Sequence, residues 1–329
     1  YSRTCCAWRA FSMSGAEMTD SVTAFAPASI GNVGVGFDML GLALAGAGDR
    51  VRARRTDAAG VSIAEVRGLD GEIHPYLPSD PDHNTASIAA KALWNDYGVD
   101  GGIELSIFKG VPLQSGMGSS AASAVAAAYA VNELLITPVS LEKLLAYALV
   151  GEQYASKGLH ADNVAPSLLG GLIFCPQQLL PQTYRVPVPS GVSAVLIHPE
   201  LQVNTAASRQ TLAQGYSMQQ WLEQQGLLAG FIAACATNDI ALIGKTLRDI
   251  IIEPQRAAAV PCFEAVKAAA EKRGALGCSL SGSGPSIFAL CRSGDARNIA
   301  SAMEQACRSQ GIGCQSWVSP MTAPGASIE

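Results

Sequence analysis

From Ser21 onward, apolar side chains recur every second residue at Val22, Ala24 and Ala26, the period of a half-buried strand. The strand runs into a glycine-rich turn, Gly31-Asn32-Val33-Gly34-Val35-Gly36. Residues 50–56 and 61–66 read as further strands, with 57–60 turning between them. Over residues 84–97 the period lengthens to that of a helix, with Ile88, Ala89, Ala92 and Leu93 on one face. A short strand at 103–108 meets a loop at 109–118, and helices follow at 119–135 and 140–157. Gly170-Gly171 breaks the chain before an apolar strand at 172–175. Pro176, Pro181, Pro187 and Pro189 then mark a boundary, dividing an N-terminal domain over 18–176 from a C-terminal domain over 177–329. Beyond it the pattern predicts a strand at 192–197 and helices at 205–214, 218–238, 239–251 and 262–272. A strand–glycine loop–strand spans 275–291, and a last helix spans 295–310. Strands and helices mix without regular βαβ alternation, which argues for an α+β fold.

Composition narrows the function classes. Hydrophobic residues make up 49% of the 329 and charged ones 15%, enough for a sizeable core. A net charge of −5 with scattered basic residues leaves no footprint for nucleic acid or an anionic membrane. The most apolar stretch, 121–136, is interrupted by Ser123, Asn132 and Glu133 and is too short to span a bilayer. Nine cysteines without a C-x-x-C pair read as reduced thiols packed as small hydrophobes, as in a cytoplasmic protein. Residues 1–17 carry Arg3 and Arg9 and no acid before Glu17, and are read as a disordered leader or an upstream translation artefact.

The most informative segment is Pro112-Leu113-Gln114-Ser115-Gly116-Met117-Gly118-Ser119-Ser120-Ala121. Its glycines let the backbone turn tightly and bring N–H groups up to an anion. The helix that follows aims its free amides and about half a positive charge at the same point. Ser119 and Ser120 add hydroxyls for phosphate oxygens or magnesium. No lysine follows, so the Walker-type loop is absent and compensating charge must come from Mg²⁺ or from elsewhere in the chain. The same residues also suit a plain turn capping a buried helix.

This loop resembles the P-x-x-x-G-[LM]-G-S-S-[AG] motif of the GHMP small-molecule kinases. Two further segments are similar to that family: residues 26–41, containing Ala26-Pro27-Ala28-Ser29 and Val35-Gly36-Phe37-Asp38, and residues 277–286, containing Ser281-Gly282-Ser283-Gly284. Within the family, His160-Ala161-Asp162-Asn163-Val164-Ala165-Pro166 and Ile252-Glu253-Pro254-Gln255-Arg256 resemble the homoserine kinases. The resemblance implies a two-domain GHMP kinase fold: an N-terminal S5-like, ATP-binding domain with a left-handed βαβ crossover and a C-terminal ferredoxin-like domain. It further implies ATP and Mg²⁺ as cofactors, L-homoserine as substrate, and a homodimer acting in threonine biosynthesis.

A zwitterionic amino acid calls for a guanidinium fork at its carboxylate, and Arg209 and Arg256 sit where the resemblance places such binders. Asp38 with Asn32 suits the ammonium, although Asp38 also suits a helix cap. His160 can hydrogen-bond substrate or serve the fold. Asn163 is the candidate for holding the acceptor hydroxyl in line with the γ-phosphorus, and Asp162 either orients it or acts as a base. Glu152 joins Ser120 as a candidate Mg²⁺ ligand, and Asn84 matches a position that contacts adenine in relatives. Gly282, Ser283 and Gly284 form a turn able to close over phosphates or simply to join two strands. Kinases of the same fold acting on mevalonate or a sugar have no need of Asp38, Arg209 and Arg256 together. A non-catalytic ligand sensor has no need of Glu152, Ser120 and Asn163. A dinucleotide-binding reading of the 31–36 turn lacks its βαβ context.

Overall fold

In the computed structural model, residues 20–156, 158–213 and 215–329 are described. The leader expected over 1–17 lies outside them, as do Lys157 and Gln214, which close two of the expected helices. Strand β1 (Ser21–Gly31) pairs antiparallel with β2 (Leu40–Thr56) from Ser21↔Arg54 to Gly31↔Gly41. The register shifts at Pro27/Ala28, the irregularity at which a proline is tolerated inside a ladder. Next come β3 (Gly60–Arg67), α1 (Thr85–Tyr97) and β4 (Gly102–Phe108); β3 and β4 lie parallel, with α1 as the crossover. Helices α2 (Ser119–Leu134), α3 (Leu141–Ser156) and α4 (Ala161–Leu169) follow, then the short strands β5 (Leu172–Phe174) and β6 (Tyr184–Val186).

The chain continues with β7 (Val192–Pro199), α5 (Thr205–Gln210), α6 (Met218–Thr237), α7 (Ile240–Thr246), α8 (Glu253–Arg256) and α9 (Phe263–Lys272). It ends with β8 (Gly277–Leu280), β9 (Ile287–Arg292), α10 (Ala296–Ser309), β10 (Cys314–Pro320) and β11 (Ser327–Ile328). One sheet has the order β11-β1-β2-β4-β3, with β5 and β6 continuing from β2. The other has the order β10-β7-β9-β8 and is antiparallel throughout. Numbered within itself, the second sheet is 4-1-3-2, with helices between its first and second and its third and fourth strands: the ferredoxin-like βαββαβ arrangement. Strands β6 and β11, both beyond the boundary expected after residue 176, pair into the first sheet.

Helix α2 is apolar on every side, and nearly all of its 16 residues are buried. A helix of that kind belongs at the centre of a core. Its alanines allow α1 and α3 to come close, and a β-carbon at Gly151 of α3 would sit 3.0 Å from the side chains of both Ala89 and Ala124. Six of the seven described cysteines are buried and none is disulfide-bonded, consistent with their reading as small hydrophobes.

The structure corrects several sequence expectations. Residues 160–163, which the sequence pattern places in no helix, are the cap and first turn of α4. Nine residues with Pro166 inside are too few for a helical period to announce itself. The helix expected over 239–251 ends at Thr246, and residues 249–253 instead wrap around the Asp249 carboxylate, which accepts three backbone N–H groups. Strand β2 begins at Leu40, ten residues before the expected 50, because its first half is buried on both faces and shows no alternation. Strands β6, β10 and β11 were not anticipated; β10 is an edge strand of irregular burial, and the other two are very short.

Candidate active site

Three glycine-bearing turns meet at one point. The β1–β2 turn holds Asn32, Val33 and Asp38 at φ of 65°, 45° and 57°. A β-branched valine in that region is strained, and such strain persists where surrounding contacts enforce it. Here Gly36 N–H donates to the Asn32 carbonyl (2.9 Å) and Asp38 N–H to Asn32 Oδ1 (3.0 Å). The 112–120 loop approaches from below, and the 281–284 turn caps both. Gly282 N–H donates to the Gly31 carbonyl (3.1 Å), Ser281 Oγ–H to the Gly116 carbonyl (2.6 Å), and Asn32 Nδ2–H to the Gly282 carbonyl (3.0 Å). A β-carbon at Gly116 would overlap the carbonyl oxygen of Ser281, so only glycine admits this approach.

The loop is anchored through its carbonyls. Ser29, Ser286 and Val203 N–H groups donate to the carbonyls of Met117 (3.0 Å), Ser115 (3.1 Å) and Gln114 (3.2 Å). Gly118, at φ 68° and ψ 39°, caps α2 without any side-chain bond to its first-turn amides. That is the arrangement expected of an anion site at a helix N-terminus. Ser119 Oγ donates to the Val111 carbonyl (2.9 Å), so its hydroxyl belongs to the loop and Ser120 is left facing the cleft. Met117 is fully buried, and its side chain belongs to the core.

Beneath the loop lies a cation that sequence reasoning missed. Lys109 Nζ forms an ion pair with Asp49 and donates to Ser123 Oγ (2.7 Å) and to the Ser119 carbonyl (2.9 Å). Asp49 is fully buried; its other oxygen accepts the N–H groups of Gly110 (2.8 Å) and Val111 (3.0 Å). Nothing local in the sequence links Asp49 to Lys109, since only the β2–β4 pairing brings them together.

A second cluster faces the loop across the cleft. Asp162 is buried on α4; its Oδ2 accepts Asn32 N–H (2.9 Å), and its Oδ1 lies 3.4 Å from Asn163 Nδ2. Asn163 Oδ1 accepts the Ser29 hydroxyl (3.0 Å). Burial first, then the charge of Asp38, pushes the Asp162 carboxyl up to about 6 against the pull of His160 and the Asn32 amide. Helix α4 is held close to β2 at Gly41, where a β-carbon would overlap the Asp162 carbonyl oxygen. His160 Nδ1 lies 3.7 Å from Glu152 and its Nε2 lies 3.2 Å from Arg209 Nη2. Burial alone would lower the His160 pKa, but Glu152, Asp162 and Asp38 outweigh it and hold it above the ordinary value. Arg209 Nη2 straddles the Asp38 carboxylate at 2.7 and 2.8 Å. Arg256 donates to the Gly282 carbonyl (3.0 Å); burial and the nearby Arg209 charge lower its pKa. Its buried Nε has no hydrogen-bond partner among the described residues.

These elements line one cleft of about 580 Å³. It gathers Asn32, Asp38, Glu152, His160, Asp162, Asn163, Arg209 and Arg256 with the loop residues Leu113 to Gly116, Gly118, Ser119 and Ser120. Gly282 and Ser283 also line it; Pro112, Met117 and Gly284 do not. Asn84 lines the far end, but its side chain is spent as the α1 cap, accepting Ala86 N–H (3.0 Å) and donating to the Pro78 carbonyl (3.0 Å). Tyr154 and His83, not singled out from sequence, stand edge to face there with ring centroids 6.4 Å apart.

A glycine-bearing turn before a helix N-terminus, facing a cluster of charged side chains on this pair of sheets, suits a small-molecule phosphotransferase. The description "GHMP kinases N terminal domain" matches residues 84–171, and "GHMP kinases C terminal" matches residues 231–309. The chain belongs to the GHMP kinase family. Within that family its similarity runs to homoserine kinases. It is 41% identical over 321 residues to a homoserine kinase of Xylella fastidiosa (strain M12), covering 96% of this chain and 97% of that protein. It is 42% identical over 307 residues to a homoserine kinase of Xanthomonas campestris pv. campestris (strain B100), covering 93% of each. The crystal structure of a homoserine kinase from Cytophaga hutchinsonii ATCC 33406 superposes with a TM-score of 0.91 at 40% identity, covering 96% of this chain and 100% of that one.

Proposed function

We propose that this chain transfers the γ-phosphoryl group of ATP to the side-chain hydroxyl of L-homoserine, giving O-phospho-L-homoserine and ADP, a step of threonine biosynthesis. The observation that carries the reading is the cleft lined both by the glycine-bearing loop before α2 and by Asp38, Arg209 and Arg256. The loop amides and the α2 N-terminus hold the phosphates, and Tyr154, His83 and Asn84 flank the nucleobase end. Ser120 and Glu152 line the same cleft and offer oxygen donors, the donor type that fits a hard cation keeping several waters. Mg²⁺ bound there supplies neutralisation of charge on the β- and γ-phosphate oxygens.

The acceptor's carboxylate is held by Arg256 and Arg209, and its ammonium by Asp38. Asp38 and Arg209, paired with each other in the structure, are the two groups that the zwitterion bridges, charge replacing charge. Asn163, fixed between Ser29 and Asp162, orients the acceptor oxygen toward the γ-phosphorus. A bond forms from that oxygen to phosphorus while the bond to the ADP oxygen breaks. The hydroxyl proton leaves late in such a loose transition state, passing to an oxygen of the transferred phosphoryl group, so no strong base is required. Asp162 acts as an orienting group: one of its oxygens is committed to Asn32 and the other faces Asn163.

The test is ADP release with MgATP and L-homoserine, mevalonate, galactose or no acceptor. Turnover confined to L-homoserine supports the reading. Turnover on another acceptor would keep the phosphate loop and overturn the acceptor assignment. No turnover with ATP still bound would favour a ligand sensor. No helix among the described residues is long and apolar enough to cross a membrane. A cytoplasmic location and a homodimer are part of the same proposal, the latter to be checked by light scattering.

A further inference from the structure

Two guanidinium groups close enough to perturb one another need something to hold them there before a carboxylate arrives. Asp38 answers for Arg209, but Arg256 has no carboxylate partner in the ion pairs of the described residues. What the two share is Phe37. The Arg209 guanidinium carbon lies over its ring at 5.3 Å from the centroid, and that of Arg256 at 5.2 Å. Both distances fall inside the range in which the negative face of an aromatic ring attracts a cation. The cleft is lined by both arginines but not by Phe37, so the ring works from behind them.

We propose that Phe37 is a positioning residue for the acceptor: its ring gathers Arg209 and Arg256 and sets their spacing for one carboxylate. The inference rests on the reading of this cleft as an amino-acid site. The backbone around the ring is built to be rigid. Asp38 N–H is tied to Asn32 Oδ1 (3.0 Å), Leu40 N–H to the Gly36 carbonyl (2.9 Å), and Gln224 Nε2–H to the Val35 carbonyl (3.1 Å). Phe37 thus links the strained β1–β2 turn to α5 and α8, three segments far apart in sequence. An aliphatic residue would fill the same space without attracting either cation.

The test separates shape from charge distribution. Phe37→Leu should raise KM for L-homoserine about tenfold, with kcat and KM for ATP within about twofold of wild type. Phe37→Tyr, which keeps the ring, should restore wild-type KM. Pentafluorophenylalanine at position 37, the same shape with its quadrupole reversed, should behave like Phe37→Leu, and it decides the matter should the leucine variant fail to fold. A homoserine KM unchanged in both the leucine and the fluorinated variants overturns the proposal. An independent readout is the ring-current shift of the Arg209 and Arg256 Hδ signals in NMR spectra. Both should be shifted upfield in wild type and in Phe37→Tyr and should move toward random-coil positions in Phe37→Leu. Wild-type protein that does not phosphorylate L-homoserine sinks the acceptor reading alone. In that case the presence of both ring-current shifts supports the clamp, and their absence overturns it.

Discussion

The two walls of the cleft are made in opposite ways. The proposed phosphate wall is one contiguous stretch, residues 112–120, held by carbonyl anchors to the backbone N–H groups of Ser29, Ser286 and Val203, with backbone amides as its proposed working groups. The proposed acceptor wall is assembled from Asp38, His160, Asp162, Arg209 and Arg256, charged side chains from four separate segments, of which Asp38, Arg209 and His160 contact one another directly. A backbone cradle is preorganised and nearly indifferent to pH, because amides do not titrate. A charge cluster is adjustable, because removing any member changes the state of the rest. The phosphate wall therefore suits a ligand common to many enzymes, and the acceptor wall suits the ligand that distinguishes them.

The comparison breaks first under the phosphate wall, at its one buried ion pair. Lys109→Met leaves the fully buried Asp49 without its cation, and losses of about 3–5 kcal/mol are typical when one partner of such a pair is removed. Urea denaturation should show a loss of that size, and KM for ATP should rise more than KM for L-homoserine. A variant as stable as wild type would show that Lys109 does not brace the loop.

The acceptor wall breaks more selectively. Arg256→Ala removes a buried guanidinium proposed to hold the substrate carboxylate, so kcat/KM for L-homoserine should fall by about 10²–10³, or roughly 3–4 kcal/mol. KM for ATP should stay within about twofold of wild type. An equal loss on both substrates would mean that the two walls are not separable.

How far each wall could be read from sequence follows from its construction. The 112–120 cradle was legible because glycine freedom, a helix start and two serines fall within ten residues. The Lys109–Asp49 brace was not, since a lone lysine and a lone aspartate 60 positions apart carry no local sign of pairing. On the acceptor wall, Arg209 and Arg256 stood out only through family resemblance, and Phe37 was quoted within a motif without a role. Its use depends on α5 and α8 meeting over the β1–β2 turn, a tertiary fact. The α+β class was easier, because apolar periods are local, whereas edge strands such as β10 and β11 are defined by partners remote in sequence.

The gentlest way to sharpen the contrast is to remove one charge from the acceptor wall without changing its shape. Asp162→Asn does this, since an amide oxygen can still accept the Asn32 N–H. The Asp162 carboxyl titrates near 6 in the folded protein, against a reference of 3.8. A carboxyl raised in this way contributes fully to stability below about pH 4, where it is protonated in both states, and that contribution is lost as pH rises through 6. The variant should therefore match wild type near pH 4 and exceed it at pH 7.5. Two pK units at about 1.4 kcal/mol each, with the attraction to His160 already contained in the net rise, give a gain on the order of 2–3 kcal/mol. Turnover should fall all the same, because Asn163 loses the carboxylate that orients it. Thermal melts at the two pH values, run beside the ADP-release assay, read both effects. A variant destabilised at pH 7.5 would mean that the Asp162 charge supports the fold; one with unchanged turnover would mean that it does not serve the reaction.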